Sequence, residues 1–250
     1  QVESNRYLRA YEPTLMNIKK RFNLYYWLRK IYVSKIFQSL PIKKKYIRKL
    51  VFTSIFKSKH WVQKNDNLKI INTSVSGHGS NTETLQSKNL INCMIKFIDK
   101  FNINSILDMP CGDFLWMNQV MKIRPEIRYQ GIDIVNQIIK NNKNKYIHKN
   151  IEFECEDILN FKTDKKFDLL LMRDFFIHIN NSEIQIILDK IKKWNIDYFA
   201  SESYSVEKNF DVLTGKHRKI NLKINPFNLS NPIYSFNDFE KDKNILFFRN

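Results

Sequence analysis

The residues best equipped for chemistry stand together in Ile106-Leu107-Asp108-Met109-Pro110-Cys111-Gly112-Asp113-Phe114-Leu115-Trp116-Met117. An apolar run ending in a carboxylate, a turn with one glycine and a helical pattern read as strand, tight turn and helix. That arrangement meets a nucleotide-like ligand at the carboxyl edge of a doubly wound sheet. The turn lacks the three glycines that let backbone close on a pyrophosphate, which argues against NAD or FAD. Asp133 follows Asp108 by 25 residues, the length of one strand–helix–strand unit, and stands where an acidic side chain accepts both hydroxyls of a ribose. Further on, Arg173-Asp174 end another apolar run, and His178 follows Asp174 by four, a spacing that puts both on one helical face. His60, His148 and His217 sit in polar contexts. His178 lies in an apolar run, which suits either a catalytic base or a hydrogen-bonded structural histidine.

These residues need an α/β frame. Short apolar runs alternate with helical patterns from about residue 104, which predicts a parallel sheet. The expected strands are Ser105 to Met109, Arg128 to Ile134, Ile151 to Cys155, Phe167 to Met172 and Tyr198 to Ser201. Helices are expected at Trp116 to Ile123, Val135 to Lys143 and Glu183 to Trp194. Ser80 with Glu83, and Ser182 with Gln185, have capping-box spacing and predict two helix starts. Late runs at Ile233 to Phe236 and Ile245 to Phe248 suit an antiparallel hairpin at the sheet edge. Cys93, Cys111 and Cys155 are too few and too scattered for a disulfide framework or a paired-cysteine zinc site. His178 and Asp174 lack a third ligand at suitable spacing, so no metal is expected.

The segment 106–117 resembles the first motif of class I S-adenosylmethionine-dependent methyltransferases, in a bacterial branch whose turn reads Asp-x-Pro-Cys-Gly-Asp-x-x-Trp-Met. The resemblance continues through Tyr129-Gln130-Gly131-Ile132-Asp133-Ile134-Val135, Glu156-Asp157-Ile158 and Arg173-Asp174-Phe175-Phe176-Ile177-His178-Ile179, then Arg218-Lys219-Ile220-Asn221-Leu222 and Pro226-Phe227-Asn228. It spans roughly residues 61 to 250. Upstream, Trp61 and the Ser76-Gly77-His78-Gly79-Ser80 loop also match, but Val62, Gln63 and Lys64 replace the branch's usual residues after that tryptophan.

The resemblance implies a Rossmann-like methyltransferase fold: a mostly parallel seven-stranded sheet, helices on both faces and an antiparallel C-terminal edge. It implies S-adenosyl-L-methionine as cofactor, held by Asp108, Pro110, Cys111, Gly112, Asp113, Trp116, Asp133, Ile134, Asp157, Ile158 and Arg173. Asp108 and the Gly112 turn would face the methionine end, Asp133 the ribose, Asp157 the adenine amino group, and Ile158 the ring. A helix N-cap is the plainer role for Asp157, and Cys111 suits a small turn residue better than a nucleophile. Catalysis would fall to His178 or Asp174 as base. His78, Ser80, Arg218, Asn221 and Phe227 would bind substrate, with Arg218 clamping a phosphate or carboxylate. Similar enzymes O-methylate bacterial surface glycans and their phosphorylated substituents, so the implied acceptor is a sugar or sugar phosphate in capsule or lipooligosaccharide biosynthesis. A nucleic-acid methyltransferase and a non-catalytic cofactor-binding scaffold are the alternatives. Against the first, the acceptor-side strand end reads Arg-Asp-Phe-Phe rather than the Asn-Pro-Pro-Tyr type used on base amines.

Charge divides the chain. Lys+Arg number 42 against 25 Asp+Glu, a net +17, and 17 of the basic but only 3 of the acidic residues fall in the first 70. The domain expected over 71–250 is nearly neutral, while 1–70 reads as a basic, aromatic-rich, mainly helical extension broken at Pro41. Its residues 14–60 fit helices packed on the domain with a solvated lysine face, a peripheral membrane or protein contact, or, least well, a nucleic-acid backbone. No run approaches the ~20 apolar residues of a membrane span. A cytoplasmic setting is expected, with the inner face of the cytoplasmic membrane as the place of any peripheral contact.

Overall fold

The computed structural model describes residues 24–62, 74–77, 80–82, 84–238 and 242–250. Three helices come first: α1 (Leu24–Tyr32), α2 (Lys35–Gln38) and α3 (Lys44–Lys57). An alternating series follows: α4 (Leu85–Phe101), β1 (Ser105–Asp108), α5 (Leu115–Ile123), β2 (Arg128–Asp133), α6 (Asn136–Lys145), β3 (Ile151–Cys155), β4 (Phe167–Met172), α7 (Asn181–Ile191), β5 (Ile196–Tyr204), β6 (Tyr234–Asn237) and β7 (Lys243–Arg249).

The seven strands lie in the order β3-β2-β1-β4-β5-β7-β6. β1 to β5 run parallel, and β7 pairs antiparallel with both β5 and β6. The fold is therefore the expected Rossmann-like one, with its antiparallel C-terminal edge. Successive strands step outward from β1 through β2 to β3, and then from β4 to β5. The switch point lies between β1 and β4, where a parallel sheet opens a crevice beyond its carboxyl ends. Register aligns those ends, since Asp108 pairs with Gly131 and with Leu171.

Every residue of β1 and nearly every residue of β4 is buried, as a strand covered on both faces requires. Alternation divides them between two cores. Ile106, Leu169 and Leu171 pack with α4 and α5, through Met94, Phe97 and Met117 among others. Leu107, Leu170 and Met172 pack on the other face with α7 and also with Ile47, Val51, Phe52 and Ile55 of α3. The inner side of α3 is thus part of the domain core, while Lys44, Lys45 and Lys49 of the same helix are exposed.

Both expected capping boxes shift. Thr84, not Ser80, caps α4 by accepting the Ser87 N–H, and Glu83 lies outside the described residues. Asn180, not Ser182, caps α7 by accepting the Glu183 N–H, because Ser182 sits inside the first turn and its hydroxyl donates to Asn180 Oδ1 at 2.7 Å. β5 also exceeds the expected Tyr198 to Ser201, because pairing with β7 carries it through Tyr204.

Gly131 on β2 leaves no room for a side chain: a Cβ there would lie 2.9 Å from both Cys111 Cβ and Phe153 Cδ1. We expect Gly131→Ala to lower unfolding free energy by about 1–3 kcal/mol in urea titrations, the usual cost of overpacking.

Candidate functional site

A cleft open to solvent lies across the carboxyl ends of the strands. Of the residues the sequence singles out, Ser80, Asp108, Pro110, Cys111, Gly112, Trp116, Asp133, Ile134, Asp157, Ile158, Arg173, Asp174 and His178 line it. His78 lies outside the described residues.

Its floor is built at the end of β1. Asp108 is buried and accepts the Tyr129 hydroxyl at 2.7 Å. Burial pushes its carboxyl up to about 7, against the pull of Tyr129 and Arg173. Gly112 turns with φ +53°, and its N–H donates to Asp133 Oδ2 at 3.2 Å. A Cβ on Gly112 would stand 2.3 Å from Ser76 Oγ, so only glycine lets the lead-in loop close on this turn. Asp133 also accepts the Val135 N–H at 2.8 Å, and burial pushes it up to about 6. The Cys111 thiol is buried and held well above its ordinary value by that burial, which leaves it without nucleophilic character at neutral pH.

Asp113 does not line the cleft. Its carboxylate accepts the Ser74 hydroxyl and the Val75 N–H, both at 2.8 Å, while its own N–H donates to Ser76 Oγ at 3.0 Å. It anchors the lead-in loop.

One wall comes from the N-terminal helices. Arg48, Phe52 and Phe56 of α3, and Trp61 beyond it, all face the cleft. Arg48 Nη2 donates to Asp157 Oδ2 at 2.6 Å, its Nε reaches both Asp157 oxygens, and Nη1 donates to Glu183 Oε1 at 2.6 Å. All three side chains are nearly inaccessible. Asp157 Oδ1 also accepts the Leu159 N–H at 3.1 Å, which is the turn-capping role. Sequence reasoning missed Arg48. The usable signal was its i, i+4, i+8 spacing with Phe52 and Phe56, which places one cation of the basic segment on an apolar stripe.

The opposite side is the β4 end. Asp174 takes φ +55°, so no helix runs from it to His178, and the single helical face expected for the pair is replaced by a short 3₁₀ turn at Phe176–His178. Both still reach the cleft. The Asp174 N–H donates to Glu202 Oε2 at 2.8 Å, which holds this left-handed turn in place. Burial works against the Asp174 charge, but Arg173 at 3.3 Å and Lys243 at 2.6 Å hold its carboxyl far below the ordinary range. Arg173 also meets Asp238 at 3.2 Å, donates to Ser80 Oγ at 3.4 Å and lies over Trp116. Asp174 is therefore a fixed anion with almost no basicity.

His178 differs. It is buried, its ring lies 5.0 Å from that of Trp61, and Nδ1 is 3.0 Å from the Lys216 carbonyl. A carbonyl accepts only, so Nδ1 carries the hydrogen and Nε2 keeps its lone pair. Burial pulls the imidazole down to about 4, which keeps it neutral at physiological pH.

Three expected substrate residues are placed elsewhere. The Arg218 guanidinium donates to the carbonyls of Phe210 and Phe176 and to Asn181 Oδ1, which makes it a buried staple of the late loop and not a clamp. Asn221 ties its own turn, donating to the Val206 carbonyl and accepting the Lys223 N–H. Phe227 is buried in the core cluster that also holds the inner residues of α3 and α7. None of the three lines the cleft. Among the described residues, no three His, Cys, Asp or Glu side chains are grouped to hold a metal ion.

Residues 106–194 match the family model described as a methyltransferase domain, and that segment holds β1 to β4, the Gly112 turn and His178. Malonyl-[acyl-carrier protein] O-methyltransferase 2 of Ilyobacter polytropus is 30% identical over 86 residues, 34% of this chain and 33% of that protein. The chain thus spans about a third of the length of the curated relatives it matches. The fold is shared with magnesium protoporphyrin IX methyltransferase of Synechocystis PCC 6803, solved with bound SAM (TM-score 0.59, 12% identity, 84% of this chain and 99% of that one). It is shared too with the N-methyltransferase NodS of Bradyrhizobium japonicum WM9, solved with S-adenosyl-l-homocysteine (TM-score 0.54, 13% identity, 78% and 98%). The segment that matches this family model supplies most of the residues that line the cleft.

Removing Arg48 strands two buried carboxylates. We expect Arg48→Ala to destabilise the protein by about 3–5 kcal/mol in chemical denaturation, the usual result of breaking a buried pair from one side. Arg48→Lys, which keeps the charge and loses the fork, should fall between that variant and the parent.

Proposed function

We propose that the chain is an S-adenosylmethionine-dependent methyltransferase that O-methylates an uncharged sugar hydroxyl on a bacterial surface-glycan precursor. The observation that carries this reading is one cleft holding both a buried acidic floor at the switch point and a neutral imidazole with its Nε2 unprotonated. The floor fits the cofactor. Among the described residues, four aspartates line the cleft against two arginines, which suits a ligand bearing an ammonium and a sulfonium. Gly112 lets backbone approach a bound group, and the Asp133 oxygens retain lone pairs for vicinal hydroxyls. Asp108 and the Gly112 turn would hold the methionine end, Asp133 the ribose, and Ile134 and Ile158 the apolar faces of the base.

Bound there, the cofactor supplies a methyl group already attached to a good leaving sulfur. The protein's part is position and a proton acceptor. His178 fits the second task and Asp174 does not, because two cations stabilise the carboxylate form of Asp174 and remove its basicity. Lys216 fixes the His178 tautomer, and Trp61 limits ring rotation.

Acceptor charge follows from the same inventory. Arg48 and Arg173, the cations of the cleft, are each matched to carboxylates, and Arg218 is turned away. An uncharged hydroxyl is favoured over the phosphorylated substituents of such glycans, and over the carboxylate of a malonyl group, the acceptor in the name of the curated relative. Phe52, Phe56, Trp61 and Phe175 offer apolar faces against which a sugar ring can lie.

Titration calorimetry with S-adenosylmethionine tests the floor. Asp133→Ala should weaken binding roughly ten- to a hundredfold, as loss of charged hydrogen bonds does; unchanged affinity would sink the assignment. A cationic ligand favours ionised Asp108, so affinity should be full above pH 7 and fall as pH drops through about 7, with protons released on binding at neutral pH. Turnover at saturating cofactor should instead stay flat until pH approaches 4, where His178 becomes protonated. His178→Ala should lower kcat at least about a hundredfold while leaving cofactor affinity within a few-fold. In a deletion strain, a mass spectrum of the surface glycan should lack one methyl group; an unaltered glycan would reject the acceptor assignment.

A further inference from the structure

We propose that the outward face of α1, α2 and α3 is a docking surface for an anionic lipid bilayer. Of thirteen exposed large apolar side chains among the described residues, seven fall between residues 24 and 50. On α1, Leu24, Trp27 and Ile31 share one side at i, i+3, i+7 spacing, with exposures of 66%, 48% and 52%. Ile36 on α2 is 79% exposed, Leu40 is exposed just after that helix, and Leu50 is exposed on α3. A soluble surface rarely concentrates apolar side chains in this way without a partner.

The charge beside them has a single sign. From Leu24 to Val62 there are ten Lys or Arg and no Asp or Glu. One of the ten, Arg48, is buried in its carboxylate pair; Lys30, Lys35, Lys43, Lys44, Lys45 and Lys49 are exposed. Exposed aliphatic and tryptophan side chains interleaved with lysines match the interface of an anionic membrane, where apolar groups enter the acyl boundary and ammonium groups stay among head groups. A nucleic-acid strand is the poorer fit, because it rewards stacking on aromatic faces and gives Leu24, Ile31, Ile36 and Leu40 nothing to bury in. Among the described residues no helix is long and apolar enough to cross a membrane.

Position adds a consequence. α3 lines the cleft with Arg48, Phe52 and Phe56 and exposes Tyr46 and Leu50 on its far side. One helix is therefore both cleft wall and part of the docking face, an arrangement suited to an acceptor carried on a lipid.

The test uses the full chain, without cofactor or acceptor, so its result is independent of methyl transfer. We expect co-sedimentation with vesicles of phosphatidylcholine and phosphatidylglycerol in equal parts, none with phosphatidylcholine alone, and loss of binding as salt rises. Tryptophan emission should shift to the blue on binding. Trp27→Phe should abolish that shift while keeping sedimentation. The triple change Lys43→Glu, Lys44→Glu, Lys45→Glu should lower partitioning at least tenfold, since each basic residue near the surface contributes about fivefold. Ile31→Ser with Ile36→Ser should also lower it, with unchanged circular dichroism as the folding control. Absence of binding to the anionic vesicles at low salt would overturn the proposal. So would tighter binding to a single-stranded RNA probe that the two serine changes leave unaffected.

Discussion

A carboxylate taken out of water must be met by donors, and that requirement organises the whole carboxyl edge of this sheet. Asp108 is met by a tyrosine hydroxyl, Asp133 by two backbone amides, Asp157 by an arginine fork and Asp174 by two cations. Each answer has a different electrostatic result. Neutral donors leave Asp108 and Asp133 easily protonated, whereas full positive charges fix Asp174 as an anion. The edge thereby separates groups that respond to a ligand's charge from groups that only hold shape. His178 sits among them, uncharged because the surrounding apolar side chains leave its protonated form poorly solvated.

The regularity of the α/β frame made much of the fold legible. Strands such as β1 and β4 follow from apolar runs with turn residues on either side, and the late hairpin from its position after a long polar stretch. Residues at strand ends were legible for the same reason: Asp108, Asp133 and Asp174 need only correct strand assignment to reach one edge. What escaped was whatever depends on pairing between distant segments. Arg48 is one of ten basic residues in its stretch, and nothing local says that its partners are Asp157 and Glu183. Arg218 was assigned to an acceptor clamp on residue type, but carbonyls from two other loops consume its donors. Asp174 escaped in a subtler way. Its place was legible, its basicity was not, because Lys243 reaches it from the far end of the chain.

Helix caps teach the same point on a smaller scale. Ser80 with Glu83, and Ser182 with Gln185, satisfy the capping-box pattern, yet Thr84 and Asn180 do the capping. Several hydroxyl or amide side chains near a helix start can accept the same amide, and the one chosen depends on where the preceding chain enters.

The arginine that closes the cleft wall joins residues 109 and 135 positions apart. During synthesis α3 emerges long before either carboxylate, with its apolar stripe and its cation lacking their partners. Local helix formation is fast, and closure of so long a loop is slow. The wall therefore cannot close until Glu183 has been made, by which point β1 to β4 have already emerged.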